Sequence, residues 1–94
     1  MSERNYPKLD LTTFFLSISS AAFMGLGVRG ESGDVPDQGV DLELARQNID
    51  LLELMQEKTR GNRTPEEEKL LEQLLFETRM RFVEVQRRME HRKT

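Results

Sequence analysis

A glycine pattern in this sequence has the spacing that phosphate binding would need. Gly25, Gly27 and Gly30 match GxGxxG, which in dinucleotide-binding folds lets the backbone approach a pyrophosphate at the start of a helix. That use requires a strand before the glycines and a helix after them. Here an apolar helical segment precedes the glycines and a Gly/Pro-rich segment follows them. We therefore expect a helix end and a loop at this position, and no cofactor.

Serine hydroxyls are the second group that could do chemistry. The first apolar segment contains Ser17, Ser19 and Ser20. A serine nucleophile needs a neighbouring base at neutral pH, and the only histidine, His91, lies near the other end of the sequence. Serines in a buried helix more often bond to carbonyls of the preceding turn. The row Ser17, Ala21 and Gly25, at a spacing of four, favours close helix packing, and we expect no enzymatic activity.

Glu66, Glu67 and Glu68 are the residues that suggest metal binding. Three successive helical positions point in different directions, and the sequence has no Glu-x-x-His pair. Negative charge in a first helical turn is instead explained by its favourable interaction with the helix dipole. We expect no metal site, and we expect His91 to be a solvated side chain near a helix end.

The last sixteen residues form a basic end. Residues 79–94 contain six basic and two acidic side chains, so their net charge is +4. Because the whole chain has a net charge of −3, the other residues together carry −7. The basic residues are Arg79, Arg81, Arg87, Arg88, Arg92 and Lys93. They could contact RNA or the ribosome, with Phe82 stacking on a base, or an acidic protein. Helical ion pairs from Glu77 to Arg81 and from Glu84 to Arg88 favour a solvated, self-paired face.

The element that must position the serines and glycines is an uncharged run of eighteen residues, 11–28. It predicts helix one over residues 10–27, with Asp10 or Thr12 as N-cap and Gly25 or Gly27 as terminator. Apolar residues occur on nearly all sides of this helix, which therefore needs cover from the chain, a second copy, another protein or lipid. Eighteen residues reach the lower limit for crossing a bilayer, so membrane attachment is an alternative, although the serines, threonines and glycines argue against it.

A polar arm, residues 1–9, precedes helix one, and a flexible loop, residues 28–40, follows it. Apolar spacing predicts helix two over residues 41–60 and helix three over residues 64–91. Gly61 can end helix two in the left-handed conformation. Thr64, Pro65 and Glu67 form a capping box with proline at the first helical position, the most specific local signal in the chain. The short turn at residues 61–63 predicts an antiparallel hairpin.

Two segments carry a resemblance to a known family. The sequence ELARQNIDLLELMQEKT, residues 43–59, and the turn GNRTPEEEKLL, residues 61–71, with the preceding FFLSISSAAFMGLG, resemble a family of small bacterial proteins called domain of unknown function eighteen forty-four. The similarity covers about residues 10–85. The family's name implies no activity, cofactor or catalytic residue.

We therefore predict an all-α protein of one domain, residues 1–94, with a hydrophobic first helix packed on an antiparallel helical hairpin. It is expected to close into a bundle as a homo-oligomer, with a dimer favoured. The predicted subunit or partner contacts are Phe14, Phe15, Ile18, Ala22, Leu26, Phe82, Val85 and Met89.

The expected function is that of a binding or scaffold module that acts through protein–protein contacts. The alternatives are RNA or ribosome association through the basic end and membrane attachment through helix one. A chain without cysteine fits a reducing compartment, and we expect a cytoplasmic location.

Overall fold

The computed structural model describes residues 8–28 and 39–93, with side chains up to His91. These residues form three helices, α1 (Leu11–Gly25), α2 (Leu42–Lys58) and α3 (Pro65–Lys93), and no strand occurs among them. The prediction of an all-α fold is confirmed. Most of the predicted arm at residues 1–9 and of the predicted loop at residues 28–40 lies outside the described residues.

Both ends of α1 are fixed by local backbone chemistry. The Asp10 carboxylate accepts a hydrogen bond of 2.8 Å from the Thr13 N–H, so Asp10 is the N-cap. This bond from the Thr13 N–H, which favours the charged form, lowers the pKa of Asp10. At the other end the chain leaves the helix at Leu26, and Gly27 takes a φ of 91°. Gly27 is thus the left-handed terminator, because this φ strains any residue that has a Cβ.

The hairpin of α2 and α3 has the caps that its sequence predicts. The Asp41 carboxylate accepts from the Leu44 N–H at 3.0 Å and begins α2, and Gly61 has a φ of 83° after its end. The Thr64 N–H donates to Glu67 Oε1 at 2.8 Å, and the Glu67 N–H donates to Thr64 Oγ1 at 3.1 Å. This reciprocal pair confirms the capping box.

The core consists of two clusters at opposite ends of the helices. The cluster nearer the hairpin turn contains Phe15, Ile18, Leu52, Leu71, Leu74 and Leu75. The other joins Leu26, Ala45 and Val85, with Phe82 and Met89 packed against it. The start of α1 packs near the end of α2, since Phe15 and Leu52 share one cluster, and the end of α1 packs near the start of α2, since Leu26 and Ala45 share the other. Helix α1 therefore lies along the hairpin, antiparallel to α2.

Close contact between α1 and α2 depends on Gly25. A Cβ at this position would lie 2.8 Å from the Ala45 nitrogen and 2.9 Å from the Asp41 oxygen. The Asp41 N–H donates to the Gly25 carbonyl at 2.7 Å, which ties the two helix ends together. In the predicted small-residue row, Gly25 makes the close approach, whereas Ser17 is exposed and Ala21 is half-buried. Ser19 is buried, and its hydroxyl bonds to the Leu16 carbonyl, as expected of a helical serine.

One side of the hydrophobic first helix is covered by its own chain, whereas Leu16 and Met24 on other sides stay exposed. The predicted contact residues Phe15, Ile18, Ala22, Leu26 and Val85 are buried within one molecule. The other three, Phe14, Phe82 and Met89, are half-buried against the same clusters. A partner therefore reaches the five buried side chains only if the bundle opens. Subunit contact through these residues stays a prediction.

Candidate interaction surface

A second apolar stripe runs along the side of α3 that faces away from the core. Phe76, Met80 and Val83 are 64%, 58% and 40% exposed. Their spacings of four and three place them on one helical face. Helical geometry at about 100° per residue puts this face roughly opposite Thr78, which is fully buried. We call Phe76, Met80 and Val83, with the charged residues beside them, the α3 outer face.

The apolar surface continues from α3 towards the end of α1. Phe23 and Val28 line an open groove together with Phe76 and Met80. Three charged side chains of α3 also line it: Glu77, Arg81 and Glu84. Met24, beside Phe23, is largely exposed. Contiguous apolar surface rimmed by charges is typical of protein interaction sites.

Four charged side chains flank the apolar stripe. Lys69 and Glu72 precede Phe76, and Arg87 and Glu90 follow Val83; all four are exposed. Within the described part of the chain, none of the four takes part in an ion pair. Their charges are therefore available to a binding partner.

The basic end is only partly available for the RNA contact that its composition suggests. Arg79 is held by Glu53 of α2 at 2.7 Å, and Arg81 by Glu84 at 3.3 Å. Arg81 thus pairs with Glu84, three residues along the helix, whereas the spacing predicts Glu77 as its partner. Arg87 is exposed, and the side chains of residues 92 and 93 lie outside the described residues.

Phe82 does not present a free ring for stacking on a base. It is half-buried against the cluster that contains Val85. The Arg46 guanidinium lies 5.2 Å from its ring centre, in a cation–π arrangement. The ring is therefore used within the chain.

Arg63 is a structural residue that the sequence pattern does not single out. Its side chain is only 8% exposed, and it donates to the Gln56 carbonyl at 2.8 Å and to Thr59 Oγ1 at 2.9 Å. It also bonds to the Glu68 carboxylate at 3.0 Å. One guanidinium thus joins the end of α2 to the start of α3. The sequence feature that could have indicated this role is the position of Arg63, a cation between the helix stop at Gly61 and the capping box that begins at Thr64.

Several of the other candidate chemical groups have structural roles. Glu67 completes the capping box and Glu68 pairs with Arg63. Within residues 8–28 and 39–91, no three side chains of the His, Asp or Glu types lie close enough to share a metal ion. Of the GxGxxG glycines, Gly25 ends α1 and Gly27 follows it, whereas Gly30 lies outside the described residues. None of the three described helices is both long enough and apolar enough to cross a membrane.

Comparison with known proteins identifies a family but not an activity. The family model described as Domain of unknown function (DUF1844) matches residues 8–84. No curated protein and no solved structure matches the chain. The matched range contains the whole of α1 and α2 and most of α3, including Phe76, Met80 and Val83.

Proposed function

Because the chain belongs to the DUF1844 family, whose description names no activity, we propose a function from the molecular surface. The protein is a small helical binding or scaffold module that acts through protein–protein contacts, without catalysis. Its binding site is the α3 outer face together with the adjoining groove. The observation that carries this proposal is the exposure of Phe76, Met80 and Val83 on a helix whose opposite face fills the core.

The composition of this surface supports a protein partner. Phenylalanine and methionine are enriched in protein interfaces relative to the rest of the surface. Phe76 and Met80, which are both more than half exposed, are adjacent on the helix and border the groove formed with Phe23 and Val28. A large aromatic side chain held in water on a rigid helix costs hydrophobic free energy that burial against a partner recovers.

The pairing of two of the six basic residues, together with the packing of Phe82, favours a protein partner over RNA. RNA binding without sequence preference relies on unpaired cations and free aromatic faces. Here Arg79 and Arg81 are engaged by carboxylates, and Phe82 packs in the core with Arg46 over its ring. We further propose a cytoplasmic location, with which the absence of cysteine agrees.

Site-specific photo-crosslinking in cells tests the binding site. A benzophenone amino acid replaces Met80 in one variant and, as the matched control, Leu54 of α2 in another; Leu54 is 49% exposed. We expect ultraviolet-dependent, protease-sensitive adducts from position 80 and few from position 54. Equal labelling at the two positions, no adducts at position 80, or adducts that nuclease removes would overturn the proposal.

A further inference from the structure

We propose that the occupant of the α3 outer face is the same face of a second copy, with the two α3 helices antiparallel. This inference rests on the proposed function, because it names the protein that the surface binds. The two-fold axis passes between residues 79 and 80, the midpoint of the apolar stripe. Such an interface is isologous, so the same residues meet from both sides.

The apolar stripe is self-complementary about this axis. Residue i of one α3 lies opposite residue 159 − i of the other, because 76 and 83 sum to 159. Phe76 of one copy therefore faces Val83 of the partner subunit, and the two Met80 side chains lie beside the axis. The large ring thus meets a small β-branched side chain at both ends of the stripe, while the flexible methionines fill the centre.

The flanking charges are complementary in the same register. Glu72 lies opposite Arg87 of the partner subunit, about 11 Å from the axis, and Lys69 lies opposite Glu90 of the partner subunit, about 16 Å from it, at a rise of about 1.5 Å per residue. The symmetry repeats each pair, so the dimer gains four ion pairs. A parallel arrangement would instead place Glu72 against Glu72 and Arg87 against Arg87, which disfavours it. Charge complementarity therefore selects the antiparallel partner.

The bundle leaves room for this partner. The α3 outer face points away from the side of α3 that carries Leu71, Thr78 and Val85, on which α1 and α2 pack. At a crossing angle of about 20°, helices stay close enough over this length for long charged side chains to bridge them. Each copy then keeps its own core, in contrast to a dimer that shares the predicted helix-one contacts.

The mass of the purified full chain, measured by sedimentation equilibrium between micromolar and millimolar concentrations, tests the inference. We expect a monomer–dimer equilibrium with a dimer of twice 11.0 kDa. Met80→Asp should shift the protein to monomer while its circular dichroism melting curve stays cooperative, because this side chain is 58% exposed. Leu54→Asp is the matched control on α2 and should leave the dimer intact. A monomeric wild type, or a dimer that survives Met80→Asp, would refute the inference.

A charge exchange tests the register. Glu72→Arg and Arg87→Glu alone each place like charges opposite one another at two symmetric positions, and each should raise the dimer Kd about tenfold. The double variant restores both pairs in reversed polarity and should return the Kd to within about threefold of the wild type, since coupled pairs compensate. Glu72 and Arg87 are both exposed and lie outside the core, so neither single substitution should prevent folding. Failure of the double variant to recover would exclude this antiparallel register.

The two proposals fail in different ways. Protein adducts from position 80 in cells, combined with a monomeric purified chain, would uphold a protein-binding face and overturn the second copy as its occupant. Three results together would uphold both proposals. Met80→Asp abolishes the dimer, the Glu72→Arg/Arg87→Glu double variant recovers it, and the adducts from position 80 have twice the mass of the chain.

Discussion

Replacing Gly25 by alanine tests how closely α1 packs against α2. Helix propensity alone predicts that alanine raises the free energy of unfolding, whereas the packing predicts that alanine lowers it. Gly25 is the last residue of α1 and is buried. In an unobstructed helix interior, alanine is about 1 kcal/mol more favourable than glycine. If helix propensity were the only effect, Gly25→Ala would therefore stabilise the protein.

The structure gives a reason for the opposite result. The new Cβ would lie 2.8 Å from the Ala45 nitrogen, so reaching ordinary contact at 3.4 Å requires a shift of about 0.6 Å. The atoms in contact belong to the backbone of α2 and cannot rotate away. The 2.7 Å hydrogen bond from Asp41 to the Gly25 carbonyl would lengthen with this shift. Overpacking of this kind costs about 1–3 kcal/mol, and weakening the bond adds about 1 kcal/mol. After subtraction of the propensity gain, we expect a net loss of about 1–3 kcal/mol.

Thermal and urea unfolding followed by circular dichroism measure this difference. For a domain of this size, the loss corresponds to a fall in Tm of roughly 4–24 °C. Ser20→Ala is the control, because Ser20 is an exposed residue of the same helix and its replacement should stabilise by a few tenths of a kcal/mol. A Gly25→Ala variant as stable as the wild type, or more stable, would refute the close approach of α1 and α2.

Three further substitutions test local contacts. Arg63→Lys should lower the free energy of unfolding by about 1–3 kcal/mol, because an ammonium cannot reproduce the bonds of a buried guanidinium; urea unfolding measures it. Thr64→Ala should cost about 1 kcal/mol by the same assay, through loss of the N-cap acceptor. Asp10→Asn keeps a capping side chain but cannot titrate. Since the pKa of Asp10 is lowered on folding, its stabilising effect is present above about pH 4 and is lost as the pH falls through the folded pKa. The stability difference between wild type and Asp10→Asn should therefore shrink in acid.

Each of these expectations has a contradicting outcome. An unchanged urea midpoint for Arg63→Lys would mean that the charge alone matters at the turn. Equal stability of Thr64→Ala and wild type would deny the capping box a role in holding α3. A difference between wild type and Asp10→Asn that stays constant from pH 7 to pH 3 would show that the Asp10 charge does not contribute.

Signals that act over a few residues could be read from the sequence. The capping box at Thr64 and the glycine stop at Gly61 depend on backbone groups within one turn, so the hairpin and its antiparallel sense followed from them. The buried stripe of α3 followed from spacing, because its members meet the core at intervals of three and four. The sequence alone does not decide whether Gly25 or Gly27 terminates α1. Only the structure shows that Gly27 takes the positive φ and that Gly25 lies in close contact with α2.

Features that depend on tertiary contacts were not predictable in this way. Arg63 looked like one of many surface cations, and its burial depends on the turn bringing Gln56 and Glu68 to it. The sequence also could not show that the chain itself covers Phe15 and Ile18, because the cover comes from residues about 35 to 60 positions away.

The two apolar sides of α3 explain why the sequence indicated an interface but not its place. Periodicity detects a helix with one apolar face most clearly, and α3 has two. The side with Leu71 and Val85 is covered by α1 and α2, so the apolar residues on this side are buried within one chain. The side with Phe76 and Met80 remains in water, since each helix of a three-helix bundle has only two neighbours. The proposed interface therefore lies on this second side of α3, where a partner can bind without opening the core.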